Sequence, residues 1–351
     1  MSIKETVSAA RSCWTTGDGA ESDVVISSRV RVARNLAEFP FPHQLSDESA
    51  EQVIQAVSLA VNNTADQGIG ILEMTGMGEL TPVERQILVE KHLISPDLLE
   101  NYKNKAVVLN NDESVSIMIN EEDHLRLQCL LPGLQLHEAW HRLSSIDDVL
   151  EKTLDYAFDE KLGYLTACPT NVGTGIRASL MLHLPGLALV NQISGVLSTV
   201  SKLGFAVRGL YGEGTEATGN LFQISNQITL GQTEEDIIAG MVSVARQIIA
   251  SERSARQALF KERREHMEDR VGRAWGILKH AGIVTSEEAM KLFSDLRLGR
   301  DLNIIDLIPP DLITELMIMT RPAFLLKMSG KDLSPFERDV QRAKLIREKL
   351  A

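Results

Sequence analysis

Cysteine is scarce in this chain. Cys13, Cys129 and Cys168 are the three among 351 residues, odd in number and far apart. That spacing excludes a disulfide frame and a zinc-finger pattern, and a reducing, cytoplasmic setting is expected. Long apolar runs are missing as well. None approaches the roughly 18–20 residues that span a bilayer, and the first residues carry no charged-then-apolar signal pattern. Positive charge is in deficit, with 36 Lys+Arg against 48 Asp+Glu and a net charge of −12. This argues against a general nucleic-acid binder and favours basic protein partners. There is no GxxxxGK[ST] loop and no protein-kinase HRD or DFG set, so the common phosphate-handling motifs are absent. What the chain has is 44% hydrophobic residues, ample for a sizeable core, and a length that points to two domains.

Residues 1–22 are polar and predict a loose start. Val24-Val25-Ile26 begins a strand that Ser27 to Val32 continues with alternation, placing Arg29 and Arg31 on one strand face and Val30 and Val32 on the other. Two arginines so spaced are a double cation or simply a solvated sheet face. Lys105–Leu109 and Val115–Ile119 predict a hairpin, and Leu125–Leu131 the next strand. Residues from Leu136 to about Lys161 predict a long helix. Gly173-Thr174-Gly175 is expected to open a helix from Ile176 to Leu184. Strands over Phe205–Gly209 and Leu221–Leu230 and a helix from Thr233 follow. The mixture predicts an α+β fold with a largely antiparallel sheet flanked by helices. After about residue 250 charge is crowded and every periodic segment is helical. A boundary near 254/255 is expected, with residues 255–351 forming a small all-helical domain.

Three consecutive carboxylates, Glu121-Glu122-Asp123, sit between two apolar runs. Arg126 lies inside the second run, where a buried cation needs a partner. Acids clustered beside a strand-borne arginine point to a site handling a cation and an anion together. His137-Glu138-Ala139-Trp140-His141 matches HExxH, which on one helix face binds zinc, but no third ligand follows. Gly173 to Gly175 imitates a dinucleotide fingerprint without the acidic residue that should follow. If it opened a helix, that N-terminus would face phosphate, with Arg177 in the first turn. Cys168 near such a helix start and arginines would favour its thiolate, although a buried inert cysteine fits the residue type as well. Arg208 to Thr215 reads as a flexible loop able to close over a ligand, or as plain surface. Together, Arg29, Arg31, Arg126, Arg177 and Arg208 suit a polyphosphate, with bidentate forks in place of a Walker lysine. Glu122 and Glu213 suit a cationic acceptor.

Four segments in this order, Ser27-Ser28-Arg29-Val30-Arg31, Asn120 to Arg126, Cys168-Pro169-Thr170-Asn171-Val172-Gly173-Thr174-Gly175-Ile176-Arg177, and Arg208-Gly209 to Gly212-Glu213, resemble the phosphagen (guanidino) kinase family over about residues 20–255. The resemblance implies that family's catalytic fold and ATP, with Mg2+ carried by the nucleotide. It implies ATP contacts from Ser27, Ser28, Arg29, Val30, Arg31, His92, Arg126, Arg177, Ala178, Ser179, Arg208, Gly209 and Gly212. Glu122, Glu213, Cys168, Arg126 and Glu121 take the catalytic positions, Glu122 as base with Glu213 across the site. The family's small N-terminal helical domain is expected to be absent, and it helps enclose small free guanidines. With a helical domain following instead, the arrangement looks like the bacterial protein arginine kinases. Arg338-Asp339-Val340-Gln341-Arg342-Ala343 matches their RDxxRA phosphoarginine-binding motif, so Arg338, Asp339, Arg342 and Ala343 are implied as an allosteric site. The resemblance also implies protein substrates with exposed or unfolded arginines, a homodimer, and stress-response partners (a repressor, a Clp-type protease and an activating adaptor). The alternatives are a free-arginine kinase, a non-catalytic adaptor and an HExxH protease.

Overall fold

A computed structural model of the chain describes residues 3–63, 71–209, 217–306 and 308–351. Strand β1 (Val25–Arg34) is long enough to pair along both edges. It is followed by β2 (Leu72–Gly76), β3 (Ala106–Asn110), β4 (Val115–Ile119), β5 (Leu125–Pro132), a two-residue hairpin of β6 (Phe158–Asp159) and β7 (Gly163–Tyr164), β8 (Ile176–His183), β9 (Phe205–Gly209) and β10 (Leu221–Asn226). All but β6 and β7 join one eight-stranded sheet in the order β2-β3-β4-β5-β1-β8-β10-β9, antiparallel throughout. The helices are α1 (Ile3–Thr6), α2 (Asp47–Asn62), α3 (Pro82–Glu90), α4 (Leu136–Glu151), α5 (Pro185–Leu189), α6 (Ile193–Lys202), α7 (Glu234–Glu262), α8 (Arg264–His280), α9 (Ser286–Asp301), α10 (Pro310–Met319), α11 (Pro322–Ser329) and α12 (Pro335–Lys349). The fold is α+β, with helices flanking an antiparallel sheet and a helical region after it.

Alternation along the strands gives the sheet two unlike faces. One carries Val30, Val32, Ile117, Leu127, Ile176 and Leu180, packed on α2, α4 and α7 through Val57, Leu143 and Met241. The other face is divided. Part of it is apolar (Met118, Leu130, Met181) and is covered by α3 and the C-terminal helices through Leu88, Phe293, Leu316 and Phe324. The rest carries the arginines. The C-terminal helices therefore roof the same sheet face on which the cations stand. Helix α7 runs unbroken through 254/255.

Several elements differ from expectation. Residues 176–183 form strand β8, not a helix. Most of this strand is buried on both faces, between β1 and β10, so it lacks the polar alternation that marks a half-exposed strand. The preceding glycines serve a close turn. Gly173 and Gly175 have φ of 111° and 68°, and a Cβ on Gly175 would lie 2.7 Å from the Ala33 carbonyl oxygen. The helix from Leu136 stops at Glu151. The start of the chain is pinned rather than loose. Trp14 is buried and donates to the Lys91 carbonyl at 3.0 Å. The buried Lys91 ammonium donates to Glu113 and to the Thr6 and Ala9 carbonyls.

Candidate active site

Pairing register assembles the cation cluster. Arg31 on β1 stands opposite Arg177 on β8, and Ala33 opposite Arg126 on β5, while Arg29 faces Ser179. Arg29, Arg31, Arg126, Arg177 and Arg208 line one cavity of about 430 Å³, together with His92, Gln128, Gly209 and Gln223. Neutral acceptors orient the forks. Arg29 donates to Gln223 Oε1 at 2.9 Å and to Ser179 Oγ at 3.3 Å, and Arg177 reaches Ser225 Oγ at 3.4 Å. Crowding has an electrostatic signature. Burial, then the charges of Arg29, Arg126 and Arg177, pull the Arg31 pKa well down. Burial followed by Arg208 and Arg126 lowers Arg177. Guanidiniums that depress one another are relieved by an incoming polyanion.

Alternation also separates the expected nucleotide residues. Ser27 and Ser179 lie on the arginine face, beside Arg29 in a small crevice. The Val30 side chain is buried on the opposite, apolar face, as is Ala178. Ser28 is buried too, its hydroxyl donating to the Gly133 carbonyl and accepting from the Gln135 amide. These three side chains therefore shape the strands and do not line the cavity. His92 lines it with φ of 60°. Burial, then Arg29 and Arg321, push its pKa down to about 3, so the ring is neutral.

The acidic stretch is the tight β4–β5 turn. Asn120 takes the left-handed conformation (φ 59°), and its amide donates to the His124 carbonyl. The three acids have separate environments. Glu121 is buried, accepting from Arg126 Nη1 at 2.7 Å and from the Ser95 hydroxyl. Asp123 is buried, accepting from Asn35 Nδ2 at 2.6 Å and the Ala167 amide at 2.7 Å. Glu122 stands exposed at the turn, and burial, then Asp123, raise its pKa against the opposing pull of Arg126. His124 Nδ1 accepts from the Leu36 amide and Nε2 contacts the Pro40 carbonyl, which fixes the tautomer protonated at Nε2. A second cavity of about 550 Å³ touches Glu121 and Glu122 and is lined further by Asp47, Asn101, Asn104, Asn120, Lys105 and His43. The turn thus borders both cavities, with Arg126 toward the cationic one.

Cys168 is half-buried, with Sγ 3.0 Å from Thr170 Oγ1. The strand assignment of β8 removes the long helix start expected beside it. Cys168 and Glu122 both act electrostatically on Arg177, placing the three in one neighbourhood. Glu213 and Gly212 lie outside the described residues.

Residues 52–255 match the model of the ATP:guanido phosphotransferase C-terminal catalytic domain. The chain belongs to the ATP:guanido phosphotransferase family. Residues 264–351 match the protein-arginine kinase McsB C-terminal domain. The protein-arginine kinase of Pelotomaculum thermopropionicum is 63% identical, over 100% of this chain and 99% of that protein. The protein-arginine kinase of Desulforamulus reducens is 59% identical, over 100% and 98%. Among solved structures, the duplicated taurocyamine kinase of Schistosoma mansoni with bound transition-state-analogue components matches with a TM-score of 0.58 and 28% identity, over 69% of this chain and 34% of that one. This chain thus spans about a third of that duplicated enzyme. A lombricine kinase shares the fold at a TM-score of 0.58 and 24% identity, with 68% of each chain covered.

The cationic cavity gathers the five sequence-marked arginines, but the C-terminal motif is arranged differently from its expected phosphate grip. Arg342 is 2% exposed. Its Nε donates to the Thr320 carbonyl at 2.9 Å, and its Nη1 donates to the Val284 carbonyl at 2.9 Å and to Asp339. Ala343 is buried as well, and Arg338 is half-buried. Helical spacing put Arg338 and Arg342 on one face; what packs over that face turns Arg342 inward. One arginine lining the cationic cavity was not marked in the sequence. Arg321, at the start of α11, lines it. No local motif signals it, since it comes from a helix far away in the chain.

HExxH is surface. His137 and His141 are exposed on α4, and Glu138 pairs with Arg142 at 2.7 Å. Among the described residues no group of three His, Cys, Asp or Glu side chains is placed to hold a metal ion. Replacing both histidines by Ala should leave phosphotransfer unchanged in a coupled ADP-release assay; a loss of turnover would return this helix face to the chemistry.

Proposed function

We propose that the chain transfers the γ-phosphoryl group of ATP to the guanidinium of arginine side chains in proteins. The observation that carries this reading is the β4–β5 turn, which sets Glu122 beside one cavity and Arg126 beside the arginine-lined other. In this reading Arg29, Arg31, Arg126, Arg177 and Arg208 hold the triphosphate, and Mg2+ is carried by phosphate oxygens and water. Arginine forks stabilise charge on the transferring group, so catalysis is positioning plus electrostatics. A guanidinium is a poor nucleophile while protonated. Glu122 takes its proton as the N–P bond forms and the bond from phosphorus to the β,γ-bridging oxygen breaks, releasing ADP. Glu213 and Cys168 serve as further negative contacts for the acceptor. Residues 1–254 carry the chemistry and residues 255–351 form the helical unit beside it. The cavity touching Glu122 is open and polar, which suits a side chain presented on a polypeptide. No helix among the described residues is long and apolar enough to cross a membrane.

Incubation with ATP and either an unfolded arginine-rich protein or free L-arginine tests the reading. Mass spectrometry under conditions that preserve P–N bonds should show acid-labile phosphate on protein arginines. Phosphorylation of free arginine alone would instead establish a phosphagen kinase.

A further inference from the structure

The helical region contributes a guanidinium to the catalytic cavity. Arg321 precedes α11 and lines the same cavity as Arg29, Arg31, Arg126, Arg177 and Arg208. Its backbone is fixed from both sides. On one side the Thr320 carbonyl accepts from the buried Arg342 Nε at 2.9 Å. On the other, the Ala323 and Phe324 amides donate to the Glu90 carboxylate at 3.0 and 3.3 Å. Glu90 ends α3, lines the cavity itself and stands two residues before His92. The same cavity wall thus receives α3 from the sheet side and α11 from the helical roof.

The Glu90 contacts place Arg321 at the cavity wall beside the end of α3, close to His92. It acts on His92 together with Arg29, whereas the neighbours acting on Arg177 are Arg208, Arg126, Cys168 and Glu122. Arg321 therefore stands at the His92 end. Arg126 and Arg177 stand at the end nearest Glu122, where the transferred phosphoryl must lie. Val89 and Ile94, which flank Glu90 and His92 in the chain and line the same cavity, suit with the neutral His92 a nucleoside more than a triphosphate tail.

We infer that Arg321 is a sixth nucleotide-binding arginine, contacting the nucleoside end of ATP, and that Arg342 is a positioning residue that sets it through the Thr320 carbonyl. The inference rests on reading the arginine-lined cavity as the ATP site. It makes the helical region a structural part of nucleotide binding. The buried member of the RDxxRA segment is then one backbone carbonyl away from the cavity.

The full-length chain tests this with Arg321→Ala, Arg321→Lys and, as a control on the cavity, Arg31→Ala. Equilibrium binding of Mg-ATP and steady-state kinetics are measured for each. Arg321→Ala should weaken ATP binding about tenfold, equivalent to roughly 1.4 kcal/mol. The KM for ATP should rise in parallel, with kcat and the KM for the protein acceptor little changed, because no transition-state contact is lost. Arg321→Lys should recover part of the affinity, which a merely structural role would not require. Unchanged ATP affinity in Arg321→Ala, with affinity lost in Arg31→Ala, would overturn the inference and leave the ATP site standing. Unchanged affinity in both would overturn the cavity assignment and the inference with it. Arg342→Lys adds the positioning test. A raised ATP KM at constant kcat supports it, and an unaltered KM in a folded variant removes Arg342 from the path.

Discussion

Glu122→Gln is expected to reduce kcat by about 10²–10⁴-fold while ATP binding survives. The substitution keeps the shape of the turn, since its backbone is held by Asn120 and by the buried Glu121 and Asp123, which remain. What disappears is the carboxylate proposed as proton acceptor at the cavity edge. Burial and the adjacent Asp123 hold the Glu122 pKa above the ordinary carboxylate value. The base must be ionised to act, so kcat/KM should rise with pH through that raised pKa, and this acid limb should vanish in the Gln variant. Linkage gives an independent check. A carboxyl whose folded pKa is raised binds more protons folded than unfolded between the two pKa values. Its ionisation therefore costs stability as pH climbs through that window. Glu122→Gln should accordingly melt no lower than the parent at neutral pH. Parent-like turnover, or an acid limb that persists in the variant, would remove Glu122 from the proton transfer.

The cationic face was legible because period-2 alternation is a strong local signal. Arg29 and Arg31 flanked by Val30 and Val32 already implied one cationic and one apolar face, and the sheet has both. Arg126 announced a partner because a cation in an apolar run must have one, and Glu121 supplies it. The failures are equally physical. Strand β8 is buried on both faces, so its pattern resembles a buried helix, and the glycines before it look like a helix-opening loop. Gly175 serves a close approach to Ala33 and Gly173 one to Thr229 instead. Ser28, Val30 and Ala178 belong to matching segments, but a segment match says nothing about which face each side chain takes. Arg342 and Arg321 depend on how α10, α11 and α12 settle on the sheet, a tertiary fact with no local signature. The separate roles of Glu121, Glu122 and Asp123 were only partly readable. Adjacent residues of one charge differ here through partners contributed from Ser95, Arg126, Asn35 and Ala167.

Arg126→Gln should lower kcat by roughly 10²–10³-fold and also destabilise the fold, and the two effects are separable. Arg126 faces the arginine-lined cavity, while its Nη1 is fixed by Glu121, whose side chain is 1% exposed against 19% for Arg126. Burial works against the charged form of Arg126, but the Glu121 charge and hydrogen bond outweigh it and raise its pKa. Removing the arginine leaves Glu121 buried with only the Ser95 hydroxyl among its named side-chain donors. Breaking a buried pair from one side costs roughly 3 kcal/mol, most of it the penalty on the remaining charge. Glu121→Gln in the same chain removes that penalty. The double variant Glu121→Gln, Arg126→Gln should therefore regain most of the lost thermal stability yet stay catalytically poor, because the Arg126 guanidinium no longer reaches the transferring phosphoryl. Glu121→Gln alone should be intermediate in rate, since Arg126 keeps its charge but loses the contact that aims it. Melting temperatures and single-turnover rates on all four proteins form a double-mutant cycle. Recovery of turnover together with stability in the double variant would reduce Arg126 to a structural ion-pair partner. A double variant that is stable and inactive places its guanidinium in the phosphoryl-transfer step.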